Sequence, residues 1–189
     1  MGLLDVITGR RKLSAPAADR LFAITTANVT FETGLGLTSR GAAAIVFQPL
    51  STADFETIVS EMEEVVRSTA ADSATNVERS DDTYGFRWLI LRGADVDSLA
   101  VGINAISGSL QAGGYGERLL CAVFAFEDRS KRPVYWIYNY KRGSFYPFVP
   151  LDGDRRDSER ELVLKAQIGR ELPLEPELER WFPLWGIPI

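Results

Sequence analysis

Eight consecutive apolar residues, Leu119 through Phe126, constrain this chain more than any other feature. A strand that is apolar at nearly every position belongs in the centre of a sheet, because an edge or half-solvated strand alternates with polar residues. The same run is far too short to cross a membrane, which takes about 20 residues of helix. Charged residues from Glu127 to Pro133 then read as a turn, and Val134 to Tyr140 returns as a strand with Trp136, Tyr138 and Tyr140 on one face. A tight hairpin requires antiparallel pairing. With helical patterns upstream and downstream, the expected class is α+β: a largely antiparallel sheet with about four helices packed against it.

Upstream, a helix is expected to open near Pro16 and carry Leu21, Phe22 and Ile24. From Thr25 to Leu37 strand-forming and helix-spaced residues compete, and the stretch is read as helix. Ala42 to Gln48 reads as a strand closed by Pro49. Ser51 and Asp54 then open an amphipathic helix in which Phe55, Ile58, Val59, Met62 and Val66 recur at three and four residues. Asp72 to Asp82 reads as a polar loop with a short strand near Val77, and Tyr84 to Leu91 alternates as a strand. Asp95 starts a helix through Leu99, Ile103, Ile106 and Leu110, ended by Gly113-Gly114. Pro147 makes Phe145 to Val149 an edge or irregular strand. The last helix is expected from Ser158, with Glu161 placed for a capping box, through Leu164, Ile168 and Leu172. Residues 1–189 read as one domain, with a short amphipathic element at 1–12 and an aromatic tail at 176–189.

The chain has no histidine, which excludes Ser-His and Cys-His nucleophile activation and imidazole-bound zinc. Its one cysteine, Cys121, falls inside the most apolar strand and reads as structural. A single cysteine without a cationic, apolar leader at Met1 to Asp5 points to a reducing cytoplasm. A net charge of −5 argues against nucleic acid as a partner. Gly34-Leu35-Gly36 with Gly41 lacks the spacing of a dinucleotide loop and reads as a turn. No cofactor is expected, and the composition favours a binding or regulatory protein over an enzyme.

Three segments are candidates for contact with other molecules. Tyr138 to Phe148 sets Lys141 and Arg142 at a glycine turn flanked by Phe145 and Tyr146. Such a turn could present cations to a phosphate or carboxylate, or could be a core hairpin whose cations pair with local acids. Arg180, Trp181 and Trp185 have the composition of an interface hot spot, and equally that of a tail folded back on its own core. Leu3, Leu4 and Ile7 followed by Arg10, Arg11 and Lys12 form a basic-flanked amphipathic element suited to an anionic membrane surface.

These segments also carry a family resemblance. Met1-Gly2-Leu3-Leu4-Asp5 with Gly9-Arg10, Lys141-Arg142-Gly143-Ser144-Phe145-Tyr146-Pro147-Phe148 and Arg180-Trp181-Phe182-Pro183-Leu184-Trp185-Gly186 resemble the PspAB family of PspA-associated proteins. Gly85-Phe86-Arg87-Trp88 and Leu119-Leu120-Cys121 extend the resemblance over nearly the whole chain. It implies a cytoplasmic accessory protein of a prokaryotic phage-shock or envelope-stress system. The implied partner is a PspA-like protein, with work near the inner face of the membrane. It brings no catalytic or ligand-binding residues. A peripheral membrane or chaperone-like module is the alternative, and a phosphate-handling enzyme using Lys141 and Arg142 is a third reading.

Overall fold

The computed structural model describes residues 18–70 and 76–189. The expected N-terminal element and its membrane-contact residues, Leu3, Leu4, Ile7, Arg10, Arg11 and Lys12, lie outside the described residues.

Six antiparallel strands form one sheet in the order β2-β3-β1-β4-β5-β6. These are β1 (Thr38–Phe47), β2 (Asn76–Asp81), β3 (Arg87–Arg92), β4 (Leu119–Glu127), β5 (Pro133–Asn139) and β6 (Ser144–Phe148). A two-stranded ribbon, β7 (Pro150–Leu151) and β8 (Arg155–Arg156), follows. The helices are α1 (Ala18–Leu21), α2 (Ala23–Thr30), α3 (Ala53–Ala70), α4 (Val96–Ala112) and α5 (Ser158–Ile168). The class is therefore α+β, as the hairpin pattern implies.

The apolar run does lie inside the sheet: β4 pairs with β1 on one side and β5 on the other. Its alternate residues feed two separate cores. Ala122, Phe124 and Phe126 join the helices in the larger core, while Cys121, Val123 and Ala125 face the opposite layer. Strand β1 behaves alike, with Ala43, Ile45 and Phe47 on the helical side and Ala42, Ala44 and Val46 on the other. Burial on both faces is why neither strand alternates with polar residues.

The helical layer follows from apolar spacing. In α4, Leu99, Ile103, Ile106 and Leu110 recur at four, three and four and pack on β1. Asp95 caps its start, accepting from the Ser98 amide at 2.7 Å. Helix α3 buries Phe55, Val59 and Met62 and turns its acids to the sheet edge, where Arg87 meets Glu56 at 2.6 Å and Arg79 meets Glu63 at 2.7 Å.

Several local expectations are corrected. The stretch beginning at Thr25 is helical, but it ends in a π-helical turn, Phe31–Leu35, closed by Gly36 in the left-handed conformation. The short strand expected near Val77 is present and runs further than expected, as the edge strand β2 from Asn76 to Asp81. Only Val77 points into the core, so its composition looks like a loop. Tyr84 and Gly85 belong to the turn between β2 and β3, with Asp82 Oδ1 accepting from the Tyr84 and Phe86 amides. At α5 the cap is Asp157, accepting from the Arg160 amide at 2.9 Å, and the helix ends at Ile168. Glu161 makes no capping box: it turns inward, 2% exposed, to pair with Arg156.

Beyond α5 the chain crosses to the bare face of the sheet. Trp181 and Ile189 are buried there, and Leu184, Trp185 and Ile187 pack against the same cluster. The tail is the second layer.

Candidate partner-binding site

The β5–β6 turn is shaped by its own residues. Asn139 Oδ1 accepts from the Lys141 amide at 3.0 Å, and the Asn139 carbonyl accepts from the Arg142 and Gly143 amides. Gly143 takes φ +63°, which a residue with a side chain rarely adopts. The result holds Lys141 outward, exposed, with the Arg142 side chain partly exposed beside it.

The turn and the tail meet. The Phe145 amide donates to the Pro173 carbonyl, and the Glu175 amide donates to the Phe145 carbonyl, each at 2.8 Å. This short parallel bridge occupies the free side of edge strand β6, which would otherwise offer unpaired backbone groups. It also places Glu175, 2% exposed, beneath the cationic turn. Its carboxylate accepts from Arg142 Nε at 3.0 Å, Ser144 Oγ at 3.2 Å and the Glu177 amide at 3.2 Å. Burial pushes the Glu175 carboxyl up, but the Arg142 guanidinium and these donors outweigh it and hold the group below its ordinary range. Glu177 then bridges outward, 3.1 Å from Arg180 and 3.8 Å from Arg142.

The aromatic members of the two segments pack on one another. Tyr146 stacks on Trp181 with ring centroids 6.2 Å apart, and its hydroxyl donates to the Phe182 carbonyl at 3.0 Å. Burial raises the Tyr146 phenol well above its usual value, so the hydroxyl stays a donor. Trp181 donates from Nε1 to the Glu175 carbonyl at 3.1 Å and accepts at its own carbonyl from Arg156 Nη1 at 2.6 Å. Arg156 is in turn paired with Glu161, whose Oε1 accepts from the Val149 amide at 2.8 Å. Burial is the dominant effect on Glu161 and raises its carboxyl against the opposing pull of Arg156 and Val149. Further along, Trp185 meets Phe148 edge-on at 5.3 Å, and the Ile189 oxygen accepts from Tyr135 and Arg40.

The structure thus brings together all seven candidate residues, but in two roles. Phe145, Tyr146 and Trp181 are inside the fold, and Trp185 is half-buried against Phe148. Lys141, Arg142 and Arg180 stand at the surface, the two arginines held by Glu175 and Glu177. The arrangement is the core-hairpin and self-packed-tail geometry. What it leaves accessible is Lys141, the outer part of the arginines and the exposed side chains of Phe182, Leu178 and Leu162. Sequence reasoning missed Glu175 and Glu177. The signal available was two acids flanking Pro176 just before Arg180, across from a turn bearing two cations.

Among the described residues no group of three Cys, Asp or Glu side chains is placed to hold a metal ion, and no helix is long and apolar enough to cross a membrane. Among the described residues, one cleft lies near Arg156 and Trp181 and another near Tyr84 and Trp185, and neither is lined by Lys141 or Arg142. In comparison with known proteins, a family model described as PspA associated protein B matches residues 1–189. No curated protein and no solved structure matches the chain.

Proposed function

The chain belongs to the PspA associated protein B family, and on that premise we propose that it is a non-enzymatic accessory protein that binds a PspA-like partner in a prokaryotic envelope-stress response. The observation that carries the reading is the family match over the whole chain. The geometry supports a binding role at the hairpin and tail. A hydrogen-bonded frame holds Arg142 and Arg180 through Glu175 and Glu177, Lys141 is exposed on the same turn, and the Phe182 ring is exposed on the tail that packs against β6. Arginine and aromatic groups are what protein interfaces concentrate their binding energy on. Buried Phe145, Tyr146 and Trp181 serve this role by holding the frame. The proposed setting is the cytoplasm, at the inner face of the membrane, where a PspA-like protein would be met.

The test is a direct binding measurement with the purified PspA-like protein of the same genome. Phe182→Ala and Lys141→Glu alter exposed side chains, so both variants keep the fold. The reading expects a complex with the unaltered protein and at least a tenfold loss of affinity in these variants, with unchanged denaturation midpoints. Absence of any complex sinks the accessory reading. A complex indifferent to both substitutions moves the interface away from the hairpin and tail.

A further inference from the structure

The β2–β3 turn and the end of the tail enclose a cleft of about 300 Å³ that the hairpin–tail frame does not use. Asp81, Asp82, Tyr84 and Trp88 of the β2–β3 hairpin line it together with Trp185 and Gly186 of the tail. Gly186 takes φ +68°, a turn conformation that brings this end of the tail to the cleft. Tyr84 lies in the turn, is 69% exposed and lines the cleft.

The cleft is acidic in a specific way. Among the described residues no lysine or arginine lines it. Asp81 is neutralised by Arg87, which holds it at 2.8 and 3.1 Å and keeps its carboxyl below the ordinary range. Asp82 is different. It is half-buried, and among the described residues no cation pairs with it. Its Oδ1 accepts from the Tyr84 and Phe86 amides at 2.8 and 2.9 Å, and its Oδ2 accepts from Trp88 Nε1 at 3.0 Å. Three neutral donors fix the carboxylate in place in the cleft wall, and none of them carries a positive charge. Aromatic rings beside a fixed carboxylate attract cations by two additive electrostatic effects, the ring quadrupole and the formal charge. The volume lies at the lower end of small-molecule sites.

We propose that this cleft binds a small organic cation, an alkylammonium or guanidinium group. Trp88 positions the Asp82 carboxylate, and Tyr84 and Trp185 supply aromatic surface. The cation comes either from a free quaternary ammonium compound or from a lysine or arginine side chain of a peptide.

The test titrates the full chain at constant ionic strength and follows the indole and amide signals by two-dimensional NMR. The probes are choline, N-acetyl-arginine amide and 3,3-dimethyl-1-butanol, a neutral isostere of choline. Saturable shifts at the Trp88 and Trp185 indoles and the Tyr84 amide are expected with a cation and not with the neutral alcohol. Response to choline alone identifies a free quaternary ammonium ligand, and response to the arginine derivative identifies a peptide side chain. Asp82→Asn should weaken binding at least tenfold. Tyr84→Ala, which removes an exposed ring and leaves the fold intact, should weaken it several-fold. The proposal is overturned if neither cation titrates, if the alcohol binds equally well, or if Tyr84→Ala binds like the unaltered chain.

Discussion

Arg142 reaches across 33 residues of sequence to donate from Nε to Glu175 Oε2 at 3.0 Å, and this contact ties the β5–β6 turn to the tail. Glu175 is nearly inaccessible while Arg142 is partly exposed, so the pair sits at the boundary between core and solvent. The tail beyond it then covers the sheet face that the helices leave bare.

Removing one partner leaves the other costly. Arg142→Ala deprives a buried carboxylate of its charged donor and should destabilise the protein by about 1–3 kcal/mol. The pH dependence follows from the lowered Glu175 carboxyl, whose ordinary value is 4.5. A depressed folded value means that the stabilisation is fully present above 4.5 and is lost as pH falls through the folded value. Urea midpoints measured at neutral pH and below pH 4.5 should therefore fall more steeply with acid in the unaltered protein than in Arg142→Ala.

Trp181 fastens the tail. Replacing it with Ala removes a ring that stacks on Tyr146 and donates to Glu175, at a cost of about 3–5 kcal/mol. The second face of the sheet should then bind a hydrophobic dye. A stable variant that binds no dye would mean that the tail does not cover the sheet as described.

Cys121 should be unreactive in the native state. Burial pushes its thiol up to about 12, and the sulfur lies within the second core. A disulfide reagent at mildly alkaline pH is expected to label it only after denaturant is added. Rapid labelling of the folded protein would contradict its placement between the two layers.

Gly41 marks a bulge in β1, where the register with β4 shifts between Ser39 and Ala42. Its φ is +65°, and a Cβ there would lie 2.8 Å from the Gly93 carbonyl oxygen. Gly41→Ala combines backbone strain with a backbone clash and should cost more than about 1 kcal/mol, read from the thermal midpoint.

Much of the fold was legible where one residue has a single physical use. Asp95 before an apolar helix repeat marked a helix start, where it is the cap, and Pro147 called for an edge or irregular strand, of which β6 is the edge. The run from Leu119 to Phe126 gave the centre of the sheet for the same reason. Strand β2 was legible only as a short strand near Val77, because Val77 alone faces the core and no periodicity marks its full length. Glu161 looked like a cap residue because spacing alone cannot show that its side chain turns inward to Arg156. In the hairpin and tail, the residues that come together were visible, but their burial was not. Trp181 and Tyr146 look the same in sequence whether they face a partner or each other, and the deciding contacts, Tyr146 on Trp181 and Arg142 to Glu175, are long-range.

The most direct measurement is crosslinking of the tagged protein inside its native host under envelope stress, with identification of what it captures. The account predicts that a PspA-like protein is recovered, and that recovery falls in Lys141→Glu and Phe182→Ala. A folded, abundant bait that captures no PspA-like protein would contradict it.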